Sequence, residues 1–335
     1  MAMTGVGSGI IQDVAASSVS KSYQEYTMDG HIFGQQVVNG MVLGMIYGLI
    51  AVGYSMVYGV IGMINFAHGD VYMISAYITG ITLSVLAFFG VQALLPVLII
   101  ALLVVMLVTG VYGWVIERVA YRPLRGSPML APLISAIGVS LFLEAYVQIA
   151  QGPNPQGIKP YLSGAFRFWT GTGADQFFQI TYIQTVIVVV ALASMAGLAY
   201  LIGYTSLGRS CRATQQDSKM ATLLGIDTNR IISMVFVIGS VSASIAGFLV
   251  TLNYGSFDFY IGFVVGIKAF TAAVLGGIGS LPGALLGGLL LGLLESLFSG
   301  YVSTDYKDVF SFSVLIIVLI FKPSGLLGRP AVEKV

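Results

Sequence analysis

The stretch Phe33–Ala67 runs for 35 residues without a formal charge. As one α-helix it would be about 52 Å long at about 1.5 Å per residue, whereas a bilayer's hydrocarbon core is about 30 Å thick. The stretch therefore tilts, breaks or turns, and its glycines supply the means. Similar runs recur along the chain. Only 9% of the 335 residues are charged and 57% are hydrophobic, against roughly 25% charged in an ordinary soluble domain. Such a chain cannot cover a globule with a water-friendly surface, so lipid is the solvent for most of it.

A helical span needs about 20 mostly apolar residues. Val91–Ile116, Pro128–Ala150, Ile180–Gly203 and Ile231–Leu252 meet that length, and Val71–Gly90 adds a further span. These segments are too long and too uniformly apolar for the alternating strands of a barrel, the other structure that lipid tolerates. Ala269–Leu294 is interrupted by GGIGSLPG (276–283). Val309–Phe321 is short before Lys322, and spans only if that lysine snorkels and the helix continues to about Leu327. The expected class is a polytopic all-α membrane protein, a bundle of about 8–9 transmembrane helices with Gly-broken segments. Residues 1–32 read as a polar, disordered leader without the basic start and apolar core of a signal peptide. Residues 33–335 form one membrane domain.

Lys and Arg set the orientation. Arg118, Arg122 and Arg125, then Arg209, Arg212, Lys219 and Arg230, then Lys322, Arg329 and Lys334 mark the cytoplasmic side. Lys159, Arg167 and Lys307 fall in the loops left for the outside, 151–179 and 301–308. The C-terminus is then cytoplasmic. The N-terminus is external if 33–90 makes two crossings and internal if the first stretch re-enters.

INFAHGD (64–70) places Asn65, His68 and Asp70 where an apolar helix must break. Lipid cannot satisfy the backbone groups that a break frees. Asn65 and His68 can satisfy them, or Asp70 can cap the following helix. Paired interruptions in two halves of a membrane protein also point to a transport pathway. On that ground Asn65, His68, Gly276, Gly277 and Gly279 are candidates to line one. Glu144, Lys268 and Glu295 lie at apparent membrane depth, where a charge costs at least about 2.5–3.5 kcal/mol. A Lys268–Glu295 or Lys268–Glu144 pair would reduce that cost; snorkelling near helix ends is the alternative.

The segment 204–230 is the longest internal cytoplasmic one. Met220, Leu223 and Leu224 fall at helical spacing opposite Arg212, Gln215, Gln216 and Lys219, and Gly225 ends the run as a C-cap would. This predicts a short amphipathic helix over 212–226, suited to a groove on a soluble partner or to the membrane surface.

Here a resemblance enters. ATQQDSKMATLLGID looks like the coupling loop of ABC importer permeases, with Ala213, Asp217 and Gly225 as its small residue, polar anchor and glycine turn. GMVLGMIYGLIAVGYSMVYGVIGMINFAHGDVYMISAY (40–77), ERVAYRPLR (117–125), KAFTAAVLGGIGSLPGALLGG (268–288) and STDYKDVFSF (303–312) together resemble the H-type permease of high-affinity branched-chain amino acid import systems. The resemblance covers about 33–335 and implies a permease subunit in a bacterial inner membrane, moving Leu, Ile and Val. It implies as partners a second homologous permease, two cytoplasmic ATPase subunits and a periplasmic binding protein. Urea and other short-amide or amino acid permeases share much of the pattern. Arg212, Ala213, Asp217, Lys219, Leu223, Leu224 and Gly225 are the expected ATPase-coupling residues.

The residues agree that energy comes from elsewhere. A phosphate-cradling loop needs GxxxxGK[ST], and no Gly-Lys dipeptide occurs. ATP and Mg are therefore expected in partner subunits, with no cofactor and no enzyme activity in this chain. A net charge of +1 offers no field for nucleic acid. One cysteine, Cys211, and two histidines, His31 and His68, give no metal constellation. An ion-coupled secondary transporter remains the rival reading; it would not need the 204–230 segment.

Overall fold

The computed structural model describes residues 6–91, 93–128, 130–169 and 177–328, with side chains from residue 30 onward. Arg329 and Lys334 lie outside them. The helices are α1 (Val6–Ile61), α2 (His68–Phe88), α3 (Leu94–Ile116), α4 (Leu130–Gln151), α5 (Tyr182–Tyr204), α6 (Ser206–Gln216), α7 (Ser218–Leu223), α8 (Thr228–Tyr254), α9 (Ile261–Gly276), α10 (Leu281–Tyr301) and α11 (Lys307–Phe321). Seven of the described segments are long and apolar enough to cross a membrane, beginning with Gly30–Ile61 of α1. The apolar helices α9 and α11 are shorter, at 16 and 15 residues. The chain is helical from Val6, so no break in secondary structure marks the leader's end.

α1 stays unbroken through the whole glycine-bearing stretch to Ile61. Its glycines serve packing instead. α1 and α10 run antiparallel with backbones in contact: a Cβ on Gly44 would lie 2.7 Å from the Leu289 Cα, and one on Gly40 would lie 2.8 Å from the Leu293 Cα. Lipid gives little hydrophobic drive for helix association, so close approach of small residues supplies it by dispersion. α8 lies against α1 as well, where the Ser242 hydroxyl donates to the Leu49 carbonyl at 2.7 Å. α1 and α8 are thus the buried centre, and α3, α4 and α5 turn Leu103, Leu107, Leu141, Phe142 and Val189 outward.

The end of the bundle opposite α6 and α7 carries the described strands. β1 (Gln156–Gly157) pairs antiparallel with β4 (Ser256–Phe257), and β2 (Ala165–Trp169) with β3 (Phe177–Thr181) in the register Arg167↔Gln179. Phe178 covers Gly34, and the Gln179 N–H donates to Gln35 Oε1 at 2.9 Å. The turn of α1 around Gly34 and Gln35 thus braces this hairpin. At the other end, α11 stops at Phe321 and does not continue to Leu327. The chain turns at Gly325 (φ +70°) and folds back onto the end of α9.

Candidate functional site

The first interruption spans 62–67, between α1 and α2. Gly62 takes φ +74°, and the His68 N–H donates to the Asn65 carbonyl at 3.1 Å. Asn65 is buried, and the Tyr121 hydroxyl donates to its Oδ1 at 3.0 Å. Tyr121 ends a π-helical turn, Glu117–Tyr121, that continues α3 and swings the phenol inward. His68 is 1% exposed and stands edge-on to Tyr54, with ring centroids 4.7 Å apart. It fits because position 53 is Gly; a Cβ there would run into the imidazole. Asp70 sits in the first turn of α2 but makes no cap, since the N-cap residue is Ala67 and no side chain caps the helix. The backbone of the turn is therefore satisfied from within and from Asn65, without Asp70.

The second interruption, 277–280, between α9 and α10, is built differently. Gly276 abuts the Gly283 backbone so closely that a Cβ would overlap its carbonyl. Gly277 (φ +104°) meets the backbone of Gly328 in the same way, and Gly279 (φ +90°) lies near Gly59. The freed carbonyls of Leu275 and Gly276 accept from Leu326 N–H and Leu327 N–H, both at 2.9 Å. Ser280 caps α10 by accepting from the Gly283 N–H at 3.2 Å. Asn65 and His68 thus come together at one break, and the three candidate glycines gather at another.

Of the intramembrane charges, Lys268 and Glu295 form the buried pair, with Nζ 2.6 Å from Oε1. Both are almost wholly buried, so neither snorkels. Glu295 also accepts from Tyr47 at 3.2 Å and Ser311 at 2.8 Å. Lys268 reaches Asp308 at 2.5 Å. An ion pair removed from water stands only when further donors saturate it, and this hub ties α1, α9, α10 and α11. It forms one wall of a vestibule of about 450 Å³ at the hairpin end, which also bears Asn39, Gln184, Asn253 and Tyr254. Glu144 is on α4, away from Lys268. Among the described residues no His, Cys, Asp and Glu group has metal-binding geometry.

The segment 204–230 is an elbow of two helices, α6 and α7, where one helix over 212–226 was expected. Asp217 makes the break. Its carboxylate accepts from Lys219 N–H at 2.9 Å and Met220 N–H at 3.0 Å, capping α7 as it ends α6. The Ala213 carbonyl accepts the Asp217 N–H at 3.1 Å. Gly225 (φ +86°) closes α7, with Ile226 N–H returning to the Ala221 carbonyl at 3.0 Å. Arg212 reaches back to the Ile202 carbonyl near the end of α5. Leu223 and Leu224 are 80% and 75% exposed, Met220 is exposed beside them, and Lys219 is exposed too. Cys211 is buried against the bundle, and burial raises its thiol pKa.

Sequence reasoning passed over two buried acids. Glu117 is wholly buried, ion-paired to Arg125, and accepts from the Ser233 hydroxyl at 2.5 Å, joining the end of α3 to the start of α8. Its signal was an acid at the end of an apolar span with an arginine eight residues on. Asp70 is the other; it had been read only as a helix cap.

A lipid-facing helical bundle with a polar vestibule at one end and an exposed apolar elbow at the other defines a multi-pass membrane permease. Residues 36–319 match the family described as the branched-chain amino acid transport system permease component, and the chain belongs to it. It is 49% identical over 303 residues to the high-affinity branched-chain amino acid transport system permease protein LivH of Salmonella typhimurium, covering 90% of this chain and 98% of that one. It is 51% identical over 301 residues to the corresponding permease protein BraD of Pseudomonas aeruginosa, covering 90% and 97%. LivM of Escherichia coli, also described as a permease protein of such a system, is 27% identical over 304 residues, covering 85% of this chain and 68% of that one.

Proposed function

We propose that this chain is the membrane-spanning permease subunit of an ABC importer that moves branched-chain amino acids across a bacterial inner membrane. ATP and Mg act in two cytoplasmic ATPase subunits, a second homologous permease completes the channel, and a periplasmic binding protein delivers the substrate. The elbow lies in the cytoplasm, together with the C-terminus, and the vestibule faces the binding protein.

The observation that carries this reading is the elbow. Met220 and Leu223, on a helix of six residues, and Leu224 at its C-cap are large apolar side chains left exposed. Such a short helix is not stable alone, so the Asp217 and Gly225 caps fix it for a purpose other than packing. An amphipathic helix seated in a groove of a soluble partner matches that pattern. Arg212, Ala213, Asp217, Lys219 and Gly225 hold the elbow rigid, and Leu223 and Leu224 enter the groove. A push on the elbow reaches α1 directly, because Gln215 lies against Gly59 beside the first interruption. Asn65 and His68 line the pathway there; Gly276, Gly277 and Gly279 let the neighbouring hinge pass close to it.

The test is to express the chain with the other subunits. Leu223→Ser/Leu224→Ser should abolish co-purification of the ATPases and ATP-driven leucine uptake while the permease pair stays intact. Undiminished uptake, or uphill leucine accumulation by this chain alone, would end the reading. The amide-rich vestibule (Asn39, Gln184, Asn253) favours a second reading, transport of urea or short amides. Competition of labelled leucine uptake by excess urea would favour it.

A further inference from the structure

Asp70 is 1% exposed; its oxygens have no well-formed hydrogen bond, and the Ser140 hydroxyl is the side-chain donor that comes near them. The ion pairs among the described residues are Arg125 with Glu117 and Lys268 with Glu295 and Asp308, so none reaches it. An ionised carboxylate this deep is costly unless a cation meets it. The positive end of the α2 dipole supplies only part of that need. The polar side chains that face Asp70 are Tyr54 and Ser140, and Glu144 follows Ser140 one turn along α4. Glu144 also keeps a buried oxygen without a partner. The neighbourhood holds two carboxylates and no cation.

Beside Asp70 lies a cleft of about 320 Å³ between α4 and α9, bordered by Tyr54, Ser140, Gly262 and Gly266. Its other walls are apolar, including Phe66, Leu141, Ile267 and Phe270. Gly262 keeps the carboxylate within reach, since a Cβ there would come 2.9 Å from Asp70 Oδ1. Ligand sites run from roughly 300 to 1,000 Å³, so this one suits a small molecule. A metal cation asks for about six oxygen ligands, which these walls do not offer. A primary ammonium on a branched hydrocarbon matches both the acid and the apolar walls.

We propose that this cleft binds the translocated aliphatic amino acid, with its ammonium on Asp70 and its side chain among Phe66, Leu141, Ile267 and Phe270. Ser140 and Tyr54 orient the carboxylate, and Glu144 marks the rim. The assignment rests on the reading of the chain as a branched-chain amino acid permease.

The test uses the complete transporter in proteoliposomes. Asp70→Asn keeps the shape and removes the charge, so leucine uptake should fall about tenfold or more, with complex yield unchanged. In parallel, Ile137→Cys places a thiol in the cleft wall away from the groups that hold the substrate, read on this chain by mass spectrometry; Cys211, the chain's own cysteine, is buried. Saturating leucine should slow its alkylation several-fold when Asp70 is present and leave it unchanged with Asp70→Asn. Wild-type uptake by Asp70→Asn, or alkylation indifferent to leucine with Asp70 intact, overturns the site. Should Asp70→Asn fail to assemble, the alkylation result decides alone. A wild-type transporter that ignores leucine but imports another solute would instead sink the broader reading.

Discussion

The interruptions at 62–67 and 277–280 look alike in sequence: each is a glycine-containing gap between two apolar runs. In the structure they differ in what satisfies the freed backbone and in how much room is left. At 277–280 glycine backbones touch, and Leu326 and Leu327 donate to the carbonyls that the end of α9 exposes. At 62–67 nothing lies within 4 Å of a Cβ on Gly62, a side chain from another helix holds Asn65, and Asp70 is left unpaired. A gap closed by backbone is a hinge or a plug. A gap held by side chains, with an unspent charge beside it, is where a solute can be handled.

The comparison can be broken first at the closed gap. Gly276→Val and Gly283→Val each drive a side chain into immovable backbone, so the expected cost exceeds about 3 kcal/mol. Both should lose the monodisperse peak in fluorescence-detected size exclusion. Wild-type yield from either would mean the closed gap has slack. Asn65→Leu comes next. It leaves the buried Tyr121 hydroxyl with only a long 3.5 Å contact to the Ile64 carbonyl, a loss of up to about 1–3 kcal/mol, and it should lower leucine uptake while the ATPases still co-purify. If uptake holds, the open gap is structural only.

Asp217→Ala removes the cap of α7, worth about 1 kcal/mol. It should leave the melting temperature of the bundle nearly unchanged and cut the coupling of ATP hydrolysis to uptake; coupled transport at the wild-type ratio would remove the elbow from the mechanism. The smallest effect belongs to Gly62→Asn. Asn tolerates the left-handed region, and the space is empty, so the change should cost less than about 1 kcal/mol. Gly277→Asn has the same kind of φ but meets Gly328. Equal melting temperatures for these two variants would erase the distinction between the gaps.

Much of this was legible in the sequence. Span positions, both interruptions and the Gly225 stop follow from local patterns. The pairing of Lys268 was narrowed to two acids, and the fold chose Glu295. Other features were misread because their causes are distant. The α1 glycines look like breakers, but they face α10, which is known only once the helices meet. The expected single helix over 212–226 divides because the Asp217 side chain caps forward, and both α6 and α7 are individually plausible continuations. Asp70 resembles a cap, and only the fold shows it turned from the helix end toward Ser140 and Gly262.

By itself the sequence determined that this chain lives in lipid as a helical bundle and where its two glycine-bearing gaps fall, and it carries no GxxxxGK[ST] motif. Those properties depend on hydropathy and spacing within a few turns of chain. Tertiary structure decided which interruption is sealed and which stays open, and which acid finds its cation. A polar group in a membrane is settled by whatever other helix reaches it, as Tyr121 reaches Asn65 from 56 positions away, and no local pattern encodes that meeting.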